Sequence, residues 1–197
     1  MIYTGTAVTA KAMRILGYMD WSSGLTTAGT WAIVPTLVQL FGPGISKPGD
    51  IVQRAGNEIT ATSSGTTTIP FDDTIPQNTE GDQYFSQAIT PDSAANLLEI
   101  KNQALWSTTA DAVVTIALFQ DSVANAIDVT SDFPNTTDPM LPLYFTHIML
   151  AATASQTTFK IRAGTSSAST LRLNGRSGAR VYGGAVRSRL MVREIMA

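Results

Sequence analysis

From residue 51 to its end, the chain is a succession of short apolar segments separated by turn residues, and this limits the folds open to it. Eight or more segments of strand length recur at intervals of roughly ten residues, with Gly, Ser and Pro between them. Helical periodicity is almost absent, so the pattern is typical of a β-sandwich or a β-barrel. The clearest predicted strands are Tyr84 to Ile89, Leu97 to Trp106, Val113 to Gln120, Leu143 to Leu150, Thr157 to Ala163, Thr170 to Leu173 and Arg187 to Met196.

Two of these segments predict how the strands are buried. In 97–106, Leu98 and Ile100 alternate with Glu99 and Lys101, which indicates one buried and one solvated face. The segment 113–120 is apolar throughout and is predicted to be buried on both faces. Residues 121–142 are polar and contain three prolines, so we expect a long connection there, as a Greek-key or jelly-roll topology requires.

The first 50 residues have a different character. A short helix is predicted over Thr9 to Met19, and the Pro-Gly-type breaks in 43–50 predict a boundary or hinge. After it, Ile51 to Arg54 and Glu58 to Thr62 are predicted to form a hairpin around the turn 55–57.

These patterns divide the chain into three parts. They are an N-terminal attachment segment (1–50), a connecting hairpin (51–65) and an all-β, jelly-roll-like antiparallel sandwich (66–197).

Charge is distributed unevenly along the chain, although the net charge is only -2. Between Asp72 and Asp138 there are eleven acidic residues and one base, Lys101, whereas from Lys160 onward there are eight bases and one acid, Glu194. Complementary contacts within a subunit or between subunits explain this better than nucleic-acid binding, because runs of Lys with interleaved aromatic residues are missing.

Composition excludes further classes of protein. The absence of cysteine excludes disulfides and thiolate metal sites. The most apolar window, 31–41, has about half the length of a membrane span and is interrupted by Pro35, so no membrane insertion is predicted.

Four segments occur in an order that resembles a known module. They are TTTIPFDDTIPQNTEG (66–81), TIALFQDSVANA (115–126), TTFKIRAG (157–164) and LNGRSGARVYGG (173–184), followed by a closing strand that ends in VREI. Together they resemble a module of tail-fibre and other virion proteins of tailed bacteriophages, over about residues 66–197. The resemblance implies a jelly roll similar to C1q and tumour-necrosis-factor domains, which forms a homotrimer on the virion exterior and has no enzymatic activity.

The same resemblance implies how the protein is attached. Residues 1–50 do not match the module, and in similar proteins such a segment binds other virion proteins of the capsid or the tail. The resemblance therefore implies that the protein is a surface fibre, a head decoration or a tail-fibre module, assembled in the host cytoplasm. An alternative is a receptor-binding protein that recognises host surface glycan through loops such as 121–142 or 163–170. A depolymerase is disfavoured, because the chain lacks a long solenoid and an isolated acid pair.

No catalytic, cofactor-binding or metal-binding residue is predicted, since each candidate has a structural interpretation. His147, the only histidine, lies in an apolar strand and is interpreted as a core or interface residue, or a pH-sensitive contact near a threefold axis. Asp72, Asp73, Glu80 and Asp82 could surround a calcium ion, but Asp is common in turns.

Two further groups of residues were candidates for binding. The glycines of 174–178 and 183–184 do not open a helix, so we expect a hairpin turn with Asn174-Gly175 at positive φ rather than a phosphate loop. Five aromatic residues could form a sugar-stacking platform, although packing in the core or at a subunit interface is favoured. These are Tyr84, Trp106, Phe119, Tyr144 and Phe145.

Overall fold

The computed structural model describes residues 17–20, 25–27, 30–31, 36–39, 46–136 and 138–197, and it divides into two units, Met1–Lys47 and Pro48–Ala197. In the first unit, β1 (Gly17–Asp20) pairs antiparallel with β4 (Thr36–Gln39), and β2 (Leu25–Thr27) pairs with β3 (Thr30–Trp31). The helix predicted over Thr9 to Met19 lies mostly outside the described residues. Its last three positions belong to β1, so that part of the prediction is wrong.

The described residues of the second unit, 48–136 and 138–197, form twelve strands and one 3-10 turn at Tyr182–Gly184. The strands are β5 (Ile51–Ile59), β6 (Ser63–Gly65), β7 (Asp82–Ile89), β8 (Leu97–Thr108), β9 (Val114–Gln120), β10 (Asp128–Asp132), β11 (Leu141–Leu150), β12 (Thr157–Thr165), β13 (Leu171–Leu173), β14 (Gly175–Arg176), β15 (Ala179–Arg180) and β16 (Ser188–Ile195).

Strand pairing in this unit is that of a jelly roll. One sheet has the order β10-β9-β12-β7, and the other has the order β5-β16-β8-β13-β6. In the second sheet, β16 and β13 pair with successive parts of β8, and β11 also pairs with β8. Of the eight principal strands, the first pairs with the last (β5 with β16), the second with the seventh (β7 with β12), the third with the sixth (β8 with β11) and the fourth with the fifth (β9 with β10). This nested antiparallel pairing defines the jelly roll, so the predicted fold class is confirmed.

The core lies between the two sheets and follows from the alternation of side chains along each strand. In β8, Leu98, Ile100 and Trp106 point inward and are fully buried, as their spacing predicted. Facing side chains from the four-stranded sheet, among them Leu118 and Phe159, complete one contiguous apolar cluster.

The four-stranded sheet also has a buried outer face. Residues 66–81, which we call the strap, cross this face, and the fully buried Ile69 packs there against Ala117 and Phe119. The strap lies so close to the sheet that a Cβ on Gly164 would come within 2.6 Å of the carbonyl oxygen of Thr67. The strap therefore explains why β9 is buried on both faces, as predicted.

Two predictions of local structure are wrong. The hairpin predicted for 51–65 does not form, because β5 runs without a break through Gly56 and pairs along its length with β16. The sandwich accordingly begins at Ile51 and not at residue 66. The predicted connection 121–142 contains β10, an acidic edge strand that pairs with β9.

Candidate functional surfaces

The outer face of the six-stranded sheet carries an apolar row that crosses four strands. The strand register places Leu150 opposite Leu97, Leu97 opposite Ile195, and Ile195 opposite Ile51. The exposed fractions are 52% for Leu150, 36% for Leu97 and 53% for Ile51. Contiguous exposed apolar side chains of this kind make this row a candidate interaction surface.

The edge strand β11 extends this row along one side of the sheet. Tyr144 and Ile148 share the outward face of β11 with Leu150, and both are more than half exposed. The row and the β11 edge together form a continuous L-shaped surface, which we call the assembly surface.

Charged side chains occupy the rest of this sheet face, between the apolar row and β11, and several of them form ion pairs with one another. Glu99 lies 3.4 Å from Arg193 and 2.9 Å from Lys101. Glu58 forms ion pairs with Arg187 and Arg189. Basic residues outnumber acidic ones on this face, so it suits an apolar partner surface that brings carboxylates.

A separate cleft lies on the opposite side of the sandwich, between the strap and β10. Its volume is about 400 Å³. Phe71 and Ile75 of the strap stand beside it, 69% and 55% exposed, and Val129 of β10 is 41% exposed. The lining residues are Pro70, Phe71, Asp72, Thr74, Ile75, Pro76, Thr115, Ala126, Ile127, Asp128, Val129 and Ser131.

Two aspartates belong to the lining of the cleft, and the carboxylate of each is held in place. Asp72 accepts a 2.9 Å hydrogen bond from the backbone amide of Thr74, and its hydrogen bonds with Thr74, the side-chain one foremost, keep the pKa of Asp72 below its ordinary value. Asp128 accepts from the amide of Val129 at 2.8 Å. It lies opposite the core residue Leu118, so its carboxylate is on the other face of β10 from Val129, 3.1 Å from Nδ1 of His147. The cleft thus presents the fixed carboxylate of Asp72 beside apolar walls.

Two backbone amides along β10 are satisfied by the side chains that precede them. The amide of Val129 donates to Asp128, and the amide of Phe133 donates to Asp132, each at 2.8 Å. Since these amides are already satisfied, they are not offered to an added strand.

The structure separates the four acidic residues considered for calcium. Asp72 bonds Thr74, Glu80 accepts from the amide of Gln77, and Asp82 accepts from the amide and hydroxyl of Thr67. Asp72, Glu80 and Asp82 thus hold three different parts of the strap. Among the described residues, no group of three or more metal-ligating side chains converges.

The five aromatic residues do not share one surface either. Trp106, Tyr84 and Phe145 belong to the main core, where the rings of Tyr84 and Trp106 meet edge to face with centroids 4.8 Å apart. Phe119 lies under the strap and Tyr144 is exposed on the assembly surface.

The glycine-rich segment forms a hairpin from β14 and β15, as predicted, but its turn is different. Ser177 and Gly178, both at positive φ, make the turn, while Gly175 lies within β14. Asn174 has the positive φ predicted for it and is fully buried, where its amide donates to the carbonyl oxygens of Ile59 and Ala61.

Sequence reasoning missed both surfaces. The sequence IPFDDTIP of the strap has two apolar residues, Phe71 and Ile75, between its two prolines. This pattern was the only local indication of the cleft. The apolar row joins strands that are distant in sequence, so only their pairing reveals it.

Comparisons with known proteins find similar folds and no family. No family model and no curated protein matches the chain. Among solved structures, it is similar to the Eiger TNF of S. frugiperda, with 8% identity, a TM-score of 0.45, and coverage of 77% of this chain and 96% of that chain. It is also similar to the infectious bursal disease virus Gx strain, with 14% identity, a TM-score of 0.31 and coverage of 92% of this chain. The VP2 subviral particle of that virus gives 14% identity, a TM-score of 0.31 and coverage of 88%.

The chain spans 43% of the length of each of these two viral chains. Within the described residues, no helix is long and apolar enough to cross a membrane.

Proposed function

We propose that this chain is a non-enzymatic structural protein of a tailed-phage virion, whose jelly roll forms a homotrimer through the assembly surface. The apolar row of Leu150, Leu97, Ile195 and Ile51 is the observation that carries the proposal. In a monomer the exposed members of this row remain in contact with water, and burying a large aliphatic side chain contributes about 1.5–3 kcal/mol.

The shape of the assembly surface suits a cyclic trimer. Cyclic assemblies other than dimers join two unlike surfaces of each subunit, so that one region meets a different region of the next copy. The L has two such regions, the row across the sheet and the β11 edge with Tyr144 and Ile148. Around a threefold axis, the row of one subunit covers the β11 edge of its neighbour.

Virion placement rests on the resemblance of residues 66–197 to phage virion modules. The same resemblance gives residues 1–50 the role of attachment to capsid or tail proteins. The absence of catalysis is proposed because the candidate polar residues support the fold: the acids fix turns of the strap and Asn174 anchors the end of β5.

The oligomeric state is the first test. Light scattering and native mass spectrometry of the full chain at micromolar concentration are expected to give three times the subunit mass. The full chain is needed, because a fragment that starts at residue 66 lacks the edge strand β5. A monomer under these conditions overturns the trimer.

Location is tested on particles. Electron cryomicroscopy of purified virions, with an antibody fragment against the sandwich, is expected to label projections on the capsid or the tail. Labelling that is absent from intact particles but present in infected-cell extracts contradicts a virion protein.

Receptor binding is the second candidate function, and the cleft is the observation that favours it. Binding of the labelled chain to host cells, and loss of that binding after removal of surface polysaccharide, would support it. Unchanged binding to stripped cells would contradict glycan recognition.

A further inference from the structure

The strand register places the cleft and the assembly surface on opposite faces of the sandwich. Val129 and Ser131 lie opposite Ala117 and Thr115, which belong to the outer face of the four-stranded sheet. The assembly surface is the outer face of the other sheet. A subunit that assembles through the six-stranded sheet therefore leaves the cleft open to the outside.

From the chemistry of this cleft we propose that it binds a neutral pyranose ring of a glycan, a proposal that rests on the surface location in the proposed function. The exposed ring of Phe71 and the side chains of Ile75 and Val129 offer apolar surface for the C–H face of a sugar. The carboxylate of Asp72, which lines the cleft, accepts hydrogen bonds from sugar hydroxyls.

Size and charge restrict the ligand further. A volume of about 400 Å³ is at the low end for ligand clefts, so one or two rings fit. Among the described residues, the lining includes the carboxylate of Asp72 and no Lys or Arg. Sialylated or sulfated sugars are repelled by this charge, so the bound ring is uncharged.

The same edge argues against an extended peptide as the occupant. Addition of a strand to β10 needs free backbone amides, and those of Val129 and Phe133 are taken by Asp128 and Asp132. With these two amides taken, recognition through side chains is favoured over addition of a strand.

The strap holds its apolar residues in a fixed position before any ligand arrives. Asn78 donates its backbone amide to Ala124 at 2.7 Å, and the amide of Ala126 donates to Pro76 at 2.9 Å. Ile69 anchors the other end of the strap in the second core cluster. Binding then needs little ordering of the loop, which preserves affinity for a small ligand.

Saturation-transfer NMR with the full chain tests the proposal. The probes are the methyl α-pyranosides of glucose, galactose and mannose at millimolar concentration, with N-acetylneuraminic acid as the anionic comparison. At least one neutral pyranoside is expected to receive saturation and to shift backbone amide signals of 71–76 and 127–131, and the anionic sugar is expected to do neither.

Variants make the assignment specific. Phe71→Ala and Val129→Lys are expected to weaken binding at least about tenfold. Tyr182→Ala is the matched control, since Tyr182 is 76% exposed outside the cleft, and it is expected to bind normally. Unaltered amide spectra away from the cleft show that each variant is folded.

Several results overturn the proposal: no transfer from any of the three pyranosides, amide shifts elsewhere, preference for the anionic sugar, or wild-type binding by both cleft variants. Protection of the cleft by another virion protein, with no sugar bound, assigns it to a protein partner instead. If the protein is a trimer but binds no sugar, only the proposal of sugar binding in the cleft is refuted. If it is a monomer that binds sugar, only the proposed trimer is refuted.

Discussion

Glu194 on the last strand accepts a 2.7 Å hydrogen bond from the side-chain amide of Asn96, which lies 98 residues earlier in the chain. Glu194 is fully buried, and it also accepts from the amides of Asp92 and Ser93 and from the side chain of Gln53. One carboxylate thus binds the loop between β7 and β8 to the end of the sandwich.

We expect Glu194→Gln to lower the free energy of unfolding by about 2–4 kcal/mol. Glutamine keeps the shape, but one of its two acceptor oxygens becomes an NH₂ group that faces donors such as the amide of Asp92. Urea unfolding measures the change at one fixed protein concentration, because the stability of a protein that assembles in the proposed way depends on its concentration.

The matched control is Glu58→Gln, which removes an exposed carboxylate from its ion pairs with Arg187 and Arg189. Exposed pairs contribute about 0–1 kcal/mol, so this variant should unfold almost as the wild type does. Equal destabilisation by the two substitutions would show that the buried site has no special role.

The contribution of Glu194 should depend on pH in a defined direction. Burial alone raises the pKa of Glu194, but the donors of Asp92, Gln53, Asn96 and Ser93 together outweigh it and hold the pKa below the ordinary value of 4.5. A carboxylate with a lowered folded-state pKa stabilises fully above its unfolded-state pKa and loses this effect as the pH falls through the folded-state pKa.

The gap in urea midpoint between wild type and Glu194→Gln should therefore be full at neutral pH. It should shrink as the pH is lowered step by step below 4.5. A gap that stays constant into acid would mean that the charge of Glu194 contributes nothing.

The attachment of the strap depends on a close approach at Gly164. We expect Gly164→Ala to displace the strap, because the new Cβ would lie 2.6 Å from the carbonyl oxygen of Thr67 and 2.9 Å from the amide nitrogen of Ile69. Limited proteolysis should then cut within 66–81 faster than in the wild type, with a loss of about 1–3 kcal/mol in stability.

Gly56→Ala is the control for this substitution. It also places a methyl group in a strand, but its nearest neighbour would be the carbonyl oxygen of Leu190 at 3.5 Å, an ordinary contact. If both variants are cut at the same rate, steric contact with the strap is not the cause.

The fold class could be predicted from sequence because strand burial leaves a local trace. The alternation of Leu98 and Ile100 with Glu99 and Lys101 gave the face of β8, and the unbroken apolar run gave β9. β5 could not be predicted, since Ala55-Gly56-Asn57 has the composition of a turn and only pairing with β16 keeps it extended.

The surfaces were less predictable than the fold for a physical reason. Both faces of β11 are apolar, so its sequence does not reveal that Leu143 points inward while Tyr144 and Ile148 point outward. The apolar row needs the register of four strands, and the cleft needs the path of the strap over β9. Neither is encoded within one segment.

The assembly surface gives the last prediction. We expect Leu150→Lys to convert the proposed trimer into monomers, because it puts a charge in the apolar row beside Leu97 on a face that already has excess basic residues. Burial of an unpaired charge at each contact should cost about 2 kcal/mol or more. Light scattering at micromolar concentration measures the subunit number, and the far-ultraviolet circular dichroism spectrum checks that the sandwich remains folded.

Val123→Lys is the control for this substitution. Val123 is 51% exposed and lies outside the assembly surface, so a lysine there should leave the proposed trimer intact. A Leu150→Lys protein that stays trimeric would exclude the row from the subunit interface, and dissociation of both variants would point to a general effect of added charge.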